Sequence, residues 1–233
     1  MRFRIIASMT ALLALGACEY TGPADDPVTR SLTWFDYIAS DNLDEACAPG
    51  ASNRLRFIYN GNYDQQIRTF DVFALPGGRG AAMSAWVRGE QDLTKAVEAK
   101  KLLAPWEGKR VESVLDPQAI SDLLRALDAD EFRTFKPVGL RLPSTEYYWI
   151  VTGCLEGRFH ANAWLYPSDR FKALRFPAVL MANDRTGVAL GKPVPVDQRY
   201  DDPTITLGGR EHRDEGFEIQ LGPNRIVVAR GLF

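Results

Sequence analysis

The chain predicts an α+β fold, a single domain of antiparallel sheet built from hairpins with two to four packed helices. Two observations carry this. Long runs that alternate apolar and polar residues are broken by turn residues at Asn60-Gly61-Asn62 and at Glu156-Gly157, the pattern of paired antiparallel strands. Separately, Asp26-Pro27 and Asp116-Pro117 stand just before apolar residues at helical spacing, an N-cap acceptor followed by proline at the first helical position. Strands grouped in hairpins, with helices apart from them, give α+β rather than a parallel α/β sheet.

Taken in order, the first helix is expected from residue 27 to about 40, with Val28, Leu32, Phe35, Ile38 and Ala39 on its buried side, since they recur every three or four positions. A hairpin follows over residues 54–74. A three-residue loop at Asn60-Gly61-Asn62 sets Tyr59 against Tyr63 and Leu55 against Ile67, with Arg54 and Arg56 turned the other way. A two-residue turn would instead oppose Phe57 to Asp64; the three-residue register is preferred because it keeps the apolar residues on one face. Pro76-Gly77-Gly78-Arg79-Gly80 reads as a loop leading into a strand over 81–88. No Gly-Lys-Ser/Thr follows the glycines, so a phosphate cradle is not the expectation. Residues 93–103 read as a helix ending before Pro105, and 117–129 as an amphipathic helix with Ile120, Leu123, Leu124 and Leu127 inward.

The second hairpin runs from 146 to 166 around Glu156-Gly157. A two-residue turn sets Cys154 opposite Phe159, Trp149 opposite Trp164 and Tyr147 opposite Tyr166. One face then carries Tyr148, Ile150, Thr152, Cys154, Phe159, Ala161, Ala163 and Leu165, a core face whose small alanines admit a helix. The opposite face carries Tyr147, Trp149, Val151, Arg158, His160, Asn162, Trp164 and Tyr166. A short turn or helix is expected near 168–174. A last hairpin is expected from Phe217, Ile219 and Leu221 to 226–229 across Gly222-Pro223-Asn224.

At the amino terminus, Arg2 and Arg4 precede an apolar run from residue 5 to 15 that is too short to span a bilayer as a mature helix, the anatomy of an export signal. Its end, Leu15-Gly16-Ala17-Cys18, resembles the lipobox of bacterial lipoproteins: Leu, two small residues, then Cys. The resemblance covers the first 18 residues and names no activity. It implies cleavage before Cys18, lipidation of the Cys18 thiol and acylation of the new amino terminus. Residues 1–17 are then a signal peptide, 18–26 a lipidated cysteine and tether, and 27–233 the domain. Two or three acyl chains, worth about 0.8 kcal/mol for each buried CH₂, hold such a chain to a membrane facing the periplasm. Glu19 lacks the Asp that marks inner-membrane retention in some bacterial lipoproteins, which leans toward the outer membrane. With Cys18 committed to lipid, Cys47 and Cys154 remain in a compartment that favours oxidation, and a disulfide between them is expected; the alternative is two separate buried thiols.

Losing the two leader arginines moves the formal charge from −2 to −4. Basic and acidic residues are mixed rather than blocked, so no nucleic-acid footprint is expected. Nor is a cofactor or a metal. The candidate site is the Tyr147, Trp149, Arg158, His160, Asn162, Trp164, Tyr166 face, a set of rings with polar handles suited to stacking a small molecule or peptide; the alternative is a second layer of core under a helix. Cys154 and His160 point to opposite faces, which speaks against a nucleophile pair. His212 sits among mixed charges, as in a solvated loop. The expected function is a non-enzymatic binding or assembly role in the envelope, toward a protein or small-molecule partner. The other class is a hydrolase with a carboxylate acid–base pair distant in sequence.

Overall fold

A computed structural model of the protein describes residues 34–62, 65–88, 108–194 and 217–229. In chain order these contain α1 (34–39), α2 (Asp41–Glu45), β1 (Arg54–Gly61), β2 (Gln66–Ala74), β3 (Ala81–Arg88), β4 (Lys109–Leu115), α3 (Pro117–Ala129), β5 (Arg141–Pro143), β6 (Tyr147–Leu155), β7 (Arg158–Leu165), α4 (Asp169–Lys172), α5 (Phe176–Asn183), β8 (Glu218–Leu221) and β9 (Ile226–Ala229). The lipobox, the first-helix start at Asp26-Pro27, the helix expected over 93–103 and His212 lie outside the described residues.

The expected α+β architecture is present. Six antiparallel strands form one sheet in the order β4-β3-β2-β1-β6-β7, and β5-β8-β9 form a smaller one. Both faces of the large sheet are covered. On one, Phe57, Phe70, Met83, Trp149 and Trp164 meet Leu123 and Leu127 of α3 and Phe176 and Leu180 of α5. On the other, Ile58, Ile67, Tyr148, Ile150 and Ala161 meet Trp34, Tyr37 and Ile38 of α1 and the inner residues Leu142, Ile219 and Ile226 of the small sheet.

Local chemistry explains several boundaries. The Asp116 carboxylate accepts from the Ala119 amide at 2.8 Å and Pro117 opens α3, satisfying one of the orphan amides of the first turn. The β6–β7 register is as the sequence predicts, Cys154 against Phe159 and Trp149 against Trp164. Its turn residues Glu156 and Gly157 both have positive φ, 54° and 71°, as a two-residue turn matching strand twist requires. A Cβ at Gly157 would stand 2.7 Å from the Ala48 carbonyl oxygen, because the loop after α2 packs on the hairpin tip. Cys47, in that loop, is bonded to Cys154 of β6, with a Cα–Cα distance of 5.5 Å. The final hairpin, β8 with β9, also forms as expected.

Two expectations need correction. The first hairpin pairs Leu55 with Val72, Phe57 with Phe70, Tyr59 with Arg68 and Gly61 with Gln66. Neither the three-residue nor the two-residue register holds, because Asn60 and Gly61 are strand residues and pairing continues to Gly61 against Gln66. The buried side of α1 is Trp34, Tyr37 and Ile38, with Phe35 and Ala39 half-buried, because the Tyr37 hydroxyl reaches a carboxylate on the sheet. Arg56, turned from the apolar face as expected, is nonetheless buried.

Candidate functional site

The seven residues singled out on the second hairpin do share one face, but that face is interior. Tyr147, Trp149 and Trp164 are each 1% exposed and Asn162 is fully buried. The cover is Phe176, the first residue of α5, whose ring lies 5.2 Å from Trp149, 5.4 Å from Trp164 and 5.5 Å from Phe57. Phe176 is held there by Asp130, at the end of α3, which accepts from the Arg175 and Phe176 amides at 2.8 and 2.9 Å. Burial pushes the Asp130 carboxyl up against the opposing pull of those two amides. The Tyr147 hydroxyl donates to Gln65 Oε1 at 2.7 Å, and Tyr166 packs edge-on to Tyr147 and Phe171. As an open stacking platform the face is therefore corrected: its rings fill the layer between sheet and helices.

Asn162 is likewise a fastener. Its Nδ2 donates to the carbonyls of Glu131, Phe132 and Phe135 at 3.1, 3.2 and 2.6 Å, folding the turn after α3 over the hairpin end. That fold brings together what remains at the surface. Arg158 is exposed and His160 half-buried, the latter 5.8 Å from the Phe132 ring. Burial, then Lys136, Arg133 and Arg158, pull the His160 imidazole below its ordinary value, so it is neutral at pH 7. Lys136 Nζ donates to Asn224 Oδ1, and Asn224 donates to the Phe159 carbonyl at 2.7 Å. Arg170 lies 4.5 Å over the Phe135 ring and 3.4 Å from a Glu131 oxygen. Beside these cations Phe135 and Val138 are 47% and 59% exposed. The result is a set of basic side chains, partly paired with acids, next to exposed apolar ones.

The deeply placed carboxylates are engaged in structure. On one face Arg56 Nε donates to Asp71 Oδ1 at 2.8 Å while the Tyr37 hydroxyl donates to Asp71 Oδ2 at 2.7 Å; the guanidinium also lies 3.7 Å over the Tyr37 ring. On the other, Arg68 donates to Asp184 and to the Val188 carbonyl at 2.7 Å. Gln66 donates to the Ala189 carbonyl at 3.0 Å and Tyr59 to the Gly191 carbonyl at 2.6 Å. Burial lowers the Arg68 pKa to about 10, which leaves it cationic at neutral pH. With Asp130 capping α5, Asp71, Asp130 and Asp184 all hold segments onto the sheet or one another. None of these charged residues stood out in the sequence, where nothing but a three-dimensional partner separates them from surface charge.

A shallow cavity of about 330 Å³ lies beside the disulfide, lined by Leu43, Asn53, Arg54, Phe73 and Cys154 among others. The Arg54 guanidinium stands 4.5 Å over Phe73 there. Among the described residues no three His, Cys, Asp or Glu side chains gather as a metal-binding group, and no helix is long and apolar enough to cross a membrane. No protein-family model and no curated protein matches this chain.

Proposed function

We propose that this chain is a lipid-anchored protein of the bacterial envelope, facing the periplasm and more at home on the outer than the inner membrane. Its domain binds or assembles with another envelope component and catalyses no reaction. The observation that carries the reading is the disposition of sulfur. Cys47 and Cys154 are bonded to each other, as suits an oxidising compartment, and of the chain's three cysteines this leaves Cys18, the residue that ends Leu15-Gly16-Ala17-Cys18. Binding rather than catalysis is supported by the employment of the buried acids, which fasten the fold, and by the exposed cationic and apolar surface around Phe135.

The anchor is tested by Cys18→Ala with cell fractionation and mass measurement. Wild-type chain is expected in the membrane fraction and heavier than residues 18–233 by the acyl groups, and the variant released and without that addition; equal membrane association and no acyl mass on the wild-type chain would end the anchor reading. The binding role is tested by cross-linking in intact cells followed by mass spectrometry. A profile with no enriched component would count against it.

A further inference from the structure

We propose that the surface formed by Phe135, Lys136, Val138 and Arg158 lies on anionic phospholipid headgroups of the membrane that carries the anchor, and so sets the orientation of the domain. The proposal rests on the lipid-anchor reading for which membrane is within reach, but its chemistry belongs to the described surface.

Three observations converge on it. Lys136 and Arg158 have no acidic partner among the described residues. The nearby carboxylates are already engaged: Asp128 and Glu156 by Arg133 at 2.7 and 3.9 Å, and Glu131 by Arg170. Lys136 and Arg158 therefore lie outside these ion pairs, in a mature chain whose formal charge is −4 overall. Second, Phe135 and Val138 are exposed on the segment that carries Lys136, with Arg170 over the Phe135 ring, the combination of basic side chains and apolar contacts by which a surface seats at the headgroup boundary. Third, the place is right. The first described helix contacts the small sheet through Phe35 and Phe217, ring centroids 5.2 Å apart. From Phe217 the chain runs along β8 to Leu221, whose carbonyl accepts from Gly139, next to Val138, at 2.7 Å. At about 3.4 Å per residue, the patch lies roughly 14 Å from where the domain meets its amino-terminal segment. The steps from Cys18 to residue 34 can span at most about 55 Å at roughly 3.5 Å each. The anchor keeps this surface within reach of the bilayer without fixing which side faces it, and a second contact supplies the missing constraint. Two or three acyl chains already hold the protein, so the patch decides orientation rather than retention.

The test removes the lipid to isolate the surface. The full mature chain carrying Cys18→Ser is floated with vesicles of phosphatidylglycerol and phosphatidylcholine in equal parts, and with phosphatidylcholine alone. It is expected to float with the anionic vesicles, to stay behind with the neutral ones, and to be released near 0.5 M salt as screening shortens the reach of the charges. Each basic residue at such a surface is worth about fivefold in partitioning, so Lys136→Glu with Arg158→Glu should weaken binding at least twentyfold. Phe135→Ser should weaken it with the charges intact, and Arg79→Glu, in the exposed turn before β3, should leave it unchanged; circular dichroism confirms that each variant is folded. Equal partitioning to both vesicle types, no flotation with either, or indifference to the charge reversals would overturn the proposal. Failure of the anchor shows separately, as an unshifted mass of wild-type chain from cells.

Discussion

Phe176→Ala is the sharpest test of whether the hairpin face is interior. The Phe176 ring is fully buried and touches three other rings, those of Phe57, Trp149 and Trp164, at centroid distances of 5.2 to 5.5 Å. Truncating a buried Phe costs about 3–5 kcal/mol from lost transfer energy and the residual cavity. Ring pairs at these distances add about 0.5–1.5 kcal/mol each beyond area, and the large Trp rings are pinned in a sheet and cannot collapse far into the void. The expected loss is therefore in the upper part of the range, about 4–5 kcal/mol. At roughly 2–4 °C per kcal/mol for a chain of this size, Tm should fall by roughly 8–20 °C. Urea unfolding followed by circular dichroism measures it, with the m-value unchanged if only packing is lost. A loss below about 1 kcal/mol would show that Phe176 does not sit on these rings, and the interior assignment of Trp149 and Trp164 would fall with it.

Three further outcomes follow from the same structure. Cys47→Ser with Cys154→Ser opens a loop of 107 residues in sequence separation and should lower stability by about 4–5 kcal/mol in the chain-entropy account; urea midpoints equal with and without the bond would refute it. Asp71→Ala strands the buried Arg56 guanidinium and should cost about 3–5 kcal/mol, while adding Arg56→Met should recover much of that, read as a double-mutant cycle. His160 is held below its ordinary 6.5 in the folded protein, so as pH falls the unfolded chain takes up the proton first. Its contribution is intact above pH 6.5 and declines below it, and His160→Gln should flatten that limb of a plot of Tm against pH.

How much was legible in the sequence depended on whether a residue had only local work to do. Glu156-Gly157 makes a turn and little else, so both its position and the register of β6 with β7 could be read directly. Asn60-Gly61 has the same local signature and does something different. Asn60 Nδ2 donates to the Ser144 and Glu146 carbonyls at 2.8 and 2.5 Å, and a Cβ at Gly61 would stand 2.7 Å from the Tyr59 ring. Asn60 serves a tertiary contact and Gly61 admits the close approach of the Tyr59 ring, so both stay in β1, and the positive φ of 56° falls on Asn62. Strand β4 was missed because it is an edge strand, with Lys109, Glu112 and Val114 exposed. β5 is three residues long and carries almost no periodic signal. For the candidate site, alternation correctly sorted the second hairpin into two faces. It could not say which face was wet, because the covering residue, Phe176, comes from an element ten residues further along the chain.

The same limit explains the charged interior. A sheet covered on both faces usually has strands that read as nearly continuous apolar runs, yet β2 contains Gln66, Arg68, Thr69 and Asp71, all buried. Their partners lie on segments that a sheet cannot hold by strand pairing: α1 through Tyr37 on one side, and the irregular stretch from Asp184 to Gly191 on the other. Leucines at those positions would bury as much area but leave the backbone carbonyls of residues 188 and 189 without donors and the Gly191 amide without an acceptor, at about 1–3 kcal/mol for each one left unsatisfied. Polar burial in β2 is thus the condition for laying non-helical chain across a sheet face. It consumes the interior charges in fastening, and the basic side chain left exposed at the hairpin end, outside any ion pair among the described residues, is Arg158.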